Sequence, residues 1–115
     1  MFVPKDSIEK YTKENVKGGK GTIDFVPMFP DAQMPPKCKM FTKVTIEKGD
    51  SIGEHVHEGD WEFYYVLSGQ GVTVEDGEEI LLRPGDLTLT GRGHSHSLEN
   101  REDQPLTVVA VILED

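Results

Sequence analysis

The sequence predicts an all-β fold, a sandwich or small barrel, and three observations carry that prediction. Short β-branched and aromatic runs recur, as in Trp61–Leu67 and Leu106–Leu113. Turn residues punctuate them at intervals of roughly eight to twelve residues, the spacing expected of all-β folds. After Lys37 no segment sustains the 3.6-residue period of a helix.

Each element has its own local reason. Ser7 to Val16 is the one segment that admits a short helix, with Ile8 and Tyr11 on one side. Lys17-Gly-Gly-Lys-Gly21 reads as a flexible turn, and Thr22 to Asp31 as a short β-like run. Pro27, Pro30, Pro35 and Pro36 then forbid regular structure up to Lys37. Met40, Val44 and Ile46 alternate with Lys43, Thr45 and Glu47, the period of a half-buried strand. Gly49-Asp50 turns the chain, and Ser68-Gly-Gln-Gly71 ends the aromatic strand. Val72–Glu75 and Glu78–Leu82 flank Asp76-Gly77, a strong hairpin signal. Arg83-Pro-Gly-Asp86 and Gly91-Arg-Gly93 are turns on either side of a short strand, Leu87 to Thr90. Leu106–Leu113 is apolar on both parities, as expected of a strand covered on both faces. About eight or nine strands result, with an irregular arm over residues 1–36 and the barrel over 37–115 as one domain.

Composition limits the function. At 115 residues there is room for one domain and a real core. The formal charge is −9, from 21 acidic against 12 basic residues. Nucleic acid and anionic lipid need a basic face, so neither is an expected partner. No apolar run reaches membrane-spanning length, and Met1-Phe-Val-Pro-Lys-Asp6 has no signal-peptide character. The one cysteine, Cys38, excludes an internal disulfide and fits a reducing cytoplasm. With no histidine at catalytic spacing, it is no candidate nucleophile.

The chemistry lies in the histidines. All four fall in two His-x-His pairs, His55 with His57 and His94 with His96. In a strand, residues i and i+2 share a face, so each pair can aim two imidazoles at one spot. Glu62 follows His57 by five residues, across the Glu58-Gly-Asp60 turn. Imidazole and carboxylate donors suit one divalent transition metal (Mn, Fe, Co, Ni, Cu or Zn), whereas Ca and Mg prefer all-oxygen sites.

These residues also resemble a known family. Gly49-x5-His55-x-His57-x4-Glu62-x6-Gly69 is similar to the first cupin motif at every position. Gly85-x5-Gly91-x-Gly93-x2-His96-x3-Asn100 resembles the second, except that Gly91 stands where the family usually has proline. The resemblance implies a double-stranded β-helix, the jelly-roll barrel, with a metal inside its mouth. It makes His55, His57, Glu62 and His96 the implied ligands and gives Asn100 a supporting role. It further implies a homodimer and open metal positions that small oxygen-bearing ligands or dioxygen could fill; the net charge leaves a small anion possible as the ligand.

Parity places the neighbours. With Glu62 inward, Tyr64 and Val66 also point in, while Phe63, Tyr65 and Leu67 form an apolar outward row that a second subunit or the N-terminal residues would cover. His94 shares parity with His96, so His94 and Tyr64 are the candidate catalytic residues. Trp61 reads as packing, and Met28, Met34 and Met40 as core or rim filler. Lys17 and Lys20 could clamp an anion, although the Gly-Lys-Ser/Thr spacing of a phosphate loop is absent. Two function classes follow. One is a small metal-dependent enzyme (dioxygenase, decarboxylase, lyase or isomerase) acting on a carboxylate, sugar or enediol-like compound. The other is a non-catalytic module that holds a small ligand or the metal alone. A structural protein with a vestigial site fits the complete ligand set least.

Overall fold

The computed structural model describes residues 1–115 as two antiparallel sheets facing each other across one core. The strands are β1 (Tyr11–Glu14), β2 (Thr22–Pro27), β3 (Cys38–Ile46), β4 (Ser51–Val56), β5 (Asp60–Ser68), β6 (Gly71–Glu75), β7 (Glu78–Leu82), β8 (Leu87–Gly91), β9 (Ser95–Glu99) and β10 (Leu106–Glu114). One sheet runs β1-β2-β3-β10-β5-β8, and the other β4-β9-β6-β7. This is the jelly-roll barrel. No helix is long and apolar enough to cross a membrane.

The alternation read from the sequence decides which side of each strand is buried. Thr42, Val44 and Ile46 of β3, Tyr64 and Val66 of β5, and Leu106, Val108 and Ala110 of β10 point inward and are almost fully buried. Ile52 and Leu98 close the core from the opposite sheet. At about 25 cal/mol per Å2 of apolar area, each such aliphatic side chain contributes roughly 1.5–3 kcal/mol. Asp76 and Gly77, with φ of 49° and 86°, make the tight β6–β7 hairpin, matching Glu75 to Glu78.

Three expectations need correcting. Residues 11–14 form strand rather than helix, because Tyr11 stacks on Phe25 of β2 with ring centroids 5.1 Å apart. That cross-strand stacking outweighs a weak local preference. The Lys17–Gly21 segment is also not a free turn. Lys20 and Ser51 exchange hydrogen bonds (2.9 and 3.0 Å), Asn15 Nδ2 donates to Gly19 O, and a short 3-10 turn spans Val16–Gly18. Finally, β10 is buried on its inner parity only, since Val109 and Val111 on the outer parity remain half-buried.

Candidate metal centre

The site forms where the two sheets meet. His55 stands next to last in β4 and pairs directly with His96 of β9, while Glu62 comes from β5 in the opposite sheet and His57 from the connection between β4 and β5. Strict alternation from inward Ile52 would turn His55 outward. A register shift between Ile52 and His55 adds one residue to β4 relative to β9. This bulge restores the inward direction, a known way of re-aiming a side chain beside a site.

The four ligand atoms lie within 4.8 Å of one another. His57 Nε2 and His96 Nε2 are 3.0 Å apart, as are His96 Nε2 and His55 Nε2. Glu62 Oε1 lies 3.0 Å from His57 Nε2 and 2.9 Å from His96 Nε2. The outer nitrogens fix the tautomers. His55 Nδ1 donates to the Gly53 carbonyl at 2.7 Å, and His57 Nδ1 to Asp60 Oδ1 at 2.8 Å. With a proton on each Nδ1, the neutral rings turn Nε2 lone pairs toward one another and toward a carboxylate. Such a buried set of converging lone pairs repels itself until a cation or proton sits among it, and it fits a divalent transition metal. His57, Glu62 and His96 are buried, and His55 is half-buried on the open side.

Without a metal, protons take the place of the cation. Burial raises the Glu62 carboxyl, but hydrogen bonds accepted from protonated His55, His57 and His96, and the charge at His96, outweigh it and hold the group well below the carboxylate range. Glu62 raises the His57 imidazole above its ordinary value against burial, with Asp60 assisting. Asp60 is likewise pulled up by burial and further down by His57 and Lys39. Lys39 Nζ donates to Asp60 Oδ2 at 3.0 Å, extending the chain Lys39–Asp60–His57 to the surface. His96 Nδ1 is buried without a hydrogen-bond partner, and Glu75 Oε1 stands nearest at 4.0 Å. Glu75 is itself held by Thr90 Oγ1 at 2.7 Å.

Above this floor opens a cavity of about 720 Å3, onto which His55, His57, Glu62 and Tyr64 face. Tyr64 stacks on His96, centroids 4.6 Å apart and planes 9° from parallel. Burial and the Glu62 carboxylate push its phenol well above the ordinary value, so the hydroxyl stays protonated.

The other candidates lie elsewhere. His94 is not brought into the mouth: its Nδ1 donates to Asp76 Oδ2 at 2.6 Å and its ring is exposed. It belongs to the turn before β9, where Arg92 and Gly93 both have positive φ, so strand parity does not reach it. Asn100 braces the fold, donating to Ile46 O and Gln104 O at 2.9 and 2.8 Å. Trp61 packs at the chain end, its Nε1 donating to Asp115 Oδ1 at 2.6 Å. Gly91 now has a reason: a Cβ there would sit 2.6 Å from the Trp61 indole, so proline would collide with it. Lys17 lines the cavity, whereas Lys20 does not; Lys13 and Lys39 also line it. Sequence reasoning passed over Asp60 and Glu75. Asp60 carried a signal, an acid three residues after His57; Glu75 carried none, since it arrives from β6 through tertiary structure.

Comparison with known proteins agrees with this construction. A cupin domain model matches residues 42–112. A Thermotoga maritima protein named oxalate-binding protein is 34% identical over 113 residues, 98% of this chain and 93% of that one. A crystal structure of a predicted oxalate decarboxylase from Thermotoga maritima superposes with a TM-score of 0.93 at 34% identity, covering both chains fully. A sugar phosphate isomerase structure from Silicibacter pomeroyi shares the fold, with a TM-score of 0.78 at 24% identity over 100% of this chain and 76% of that one. With both motifs, the barrel and the converging histidines in place, the chain belongs to the cupin family.

Proposed function

We propose that this cupin holds one divalent transition metal on His55, His57, Glu62 and His96 and uses it to bind a small carboxylate in the cavity. The convergence of three Nε2 lone pairs and one carboxylate, each His55 and His57 tautomer set by an outer acceptor, carries the reading. A bound metal would supply Lewis acidity for the ligand's oxygens. Three neutral imidazoles and one carboxylate would leave a 2+ ion with net charge near +1, so an acidic protein can still attract a small anion. The relative named oxalate-binding protein supports that ligand class. The chain's own residues orient the donors through Gly53 O and Asp60, back His96 with the Tyr64 ring, and keep the ligand atoms out of bulk water.

A second reading, a metal-dependent enzyme, is favoured by one observation: Tyr64 lines the cavity beside Glu62, where its hydroxyl can donate a hydrogen bond to an oxyanion formed on a bound substrate. His94 has no such position. The test is metal analysis of the purified protein, then calorimetry with oxalate with and without the metal, then product assays on a panel of small carboxylates. Metal-dependent binding without turnover supports the binding module; turnover lost in Tyr64→Phe with binding retained supports the enzyme. A protein that takes up no metal refutes both.

We also infer that two copies pair through the outer face of the six-stranded sheet. There Tyr65 (44%), Leu67 (45%), Leu87 (57%) and Leu89 (48%) remain exposed. β1 and β2 do not cover these residues, because they extend the sheet at the opposite edge.

A further inference from the structure

The cavity is far larger than a two-carboxylate ion such as oxalate requires. Its volume of about 720 Å3 lies in the range of pockets for drug-sized ligands. Met40, Val44, Ile52 and Ile112 give it an apolar lining, to which Val16 and Phe25 add from the N-terminal residues. On those N-terminal residues stand two lysines, Lys13 of β1 and Lys17 of the 3-10 turn. The third lysine on the wall, Lys39, is tied to Asp60, whereas Lys13 and Lys17 form no ion pair and the Lys13 ammonium lies over the Tyr11 and Phe25 rings.

The placement of Lys17 is built. A Cβ on Gly53 would meet Lys17 O at 2.2 Å, and one on Gly19 would meet Ser51 O at 2.1 Å, so the two backbones touch only because both residues are glycine. Gly53 is also the residue whose carbonyl accepts from His55 Nδ1 and that sits in the β4 register shift. The segment carrying Lys17 is therefore docked on the strand that aims a ligand. Lys17 itself adopts left-handed backbone, φ 53° and ψ 31°, a conformation that costs a lysine roughly 1 kcal/mol and persists only where surrounding structure enforces it.

Resting on the metal-binding reading above, we propose that the cavity's ligand is an elongated dianion. An oxoacid head sits on the metal, an apolar middle lies against the wall, and a second acid group is held by Lys13 and Lys17. The lysines then select for length and second charge, and an oxalate-sized ion fills only the floor.

Three acids with one common head test this on metal-loaded protein by calorimetry: pyruvate, 2-oxohexanoate and 2-oxoadipate. The expected order is 2-oxoadipate tightest, about tenfold over 2-oxohexanoate, as one charge-assisted contact provides. 2-Oxohexanoate should in turn exceed pyruvate through its buried chain. In the double variant Lys13→Gln, Lys17→Gln the first gap should close to within about twofold, while Lys17→Arg keeps it. Both lysines are exposed, so the fold and metal content should stand in every variant. Equal binding of the two longer acids by metal-loaded parent protein, or a gap unchanged in the double variant, overturns this inference and leaves the metal reading intact. A parent protein without stoichiometric metal overturns the metal reading and this one with it.

Discussion

Replacing Asp60 should weaken the proposed metal centre without dismantling it. The Asp60 carboxylate accepts from His57 Nδ1 at 2.8 Å and from Lys39 Nζ at 3.0 Å. Its side chain is 13% exposed, so water screens the first contact little; Lys39 is 48% exposed, and that pair is worth at most about 1 kcal/mol. The larger effect is therefore on His57, whose ring orientation and basicity Asp60 sets. Loss of such an outer partner typically costs 10–100-fold in metal affinity, about 1.4–2.7 kcal/mol. Asp60→Asn keeps an acceptor but loses the charge, and should lie near tenfold. Asp60→Ala loses both and should approach a hundredfold. Competition against a chromophoric chelator, with Co2+ or Zn2+ and the same metal throughout, measures both. Affinity within twofold of the parent in Asp60→Asn, or Asp60→Ala binding no worse than Asp60→Asn, would refute the argument that this carboxylate prepares His57.

Three further outcomes follow from the same geometry. In metal-free protein the raised His57 contributes stability that is complete below its ordinary pKa of 6.5 and lost as pH rises through the folded value. The depressed Asp60 and Glu62 contribute stability present above about pH 4 and lost on acidification. Metal requires the imidazoles deprotonated, so the melting-temperature gain on adding metal should grow from pH 6 to pH 8, and a gain that shrinks would contradict the site. Gly91→Ala should destabilise by about 1–3 kcal/mol in urea, because its Cβ would fall 2.6 Å from Trp61; relief in the double variant with Trp61→Ala identifies that clash as the cause. Leu87→Glu on the outer sheet face should shift the protein from dimer to monomer in sedimentation with metal binding unchanged, whereas an unchanged sedimentation coefficient argues against pairing there.

The fold was legible where local chemistry and tertiary structure agree. Alternation in β3 and β5 decides which side chains enter the core, and Asp76-Gly77 has the left-handed freedom its hairpin demands. The clustering of His55, His57, Glu62 and His96 was legible because motif spacing carries it, although the parity behind it was not simple: the β4 register shift, invisible in the sequence, brings His55 to the same side as Ile52. Failures occurred where a distant partner decides. His94 lies in a left-handed turn held by Asp76 of the β6–β7 hairpin, so parity with His96 had no strand to act through. Residues 17–21 looked flexible for their glycines, and one of them, Gly19, allows close docking on Ser51 and Gly53. Tyr11 suggested a helix face until Phe25, fourteen positions on in the chain, supplied its stacking partner.

His55, His57, Glu62 and His96 are proposed to hold a metal together. Elemental analysis of purified protein beside its His96→Ala variant tests it most directly, since His96 contacts the other three ligands. The expected result is close to one transition-metal ion per parent chain and almost none in the variant. Parent protein that stays metal-free after incubation with Mn, Fe, Co, Ni, Cu and Zn at neutral pH, or a variant that retains the parent's content, would contradict it.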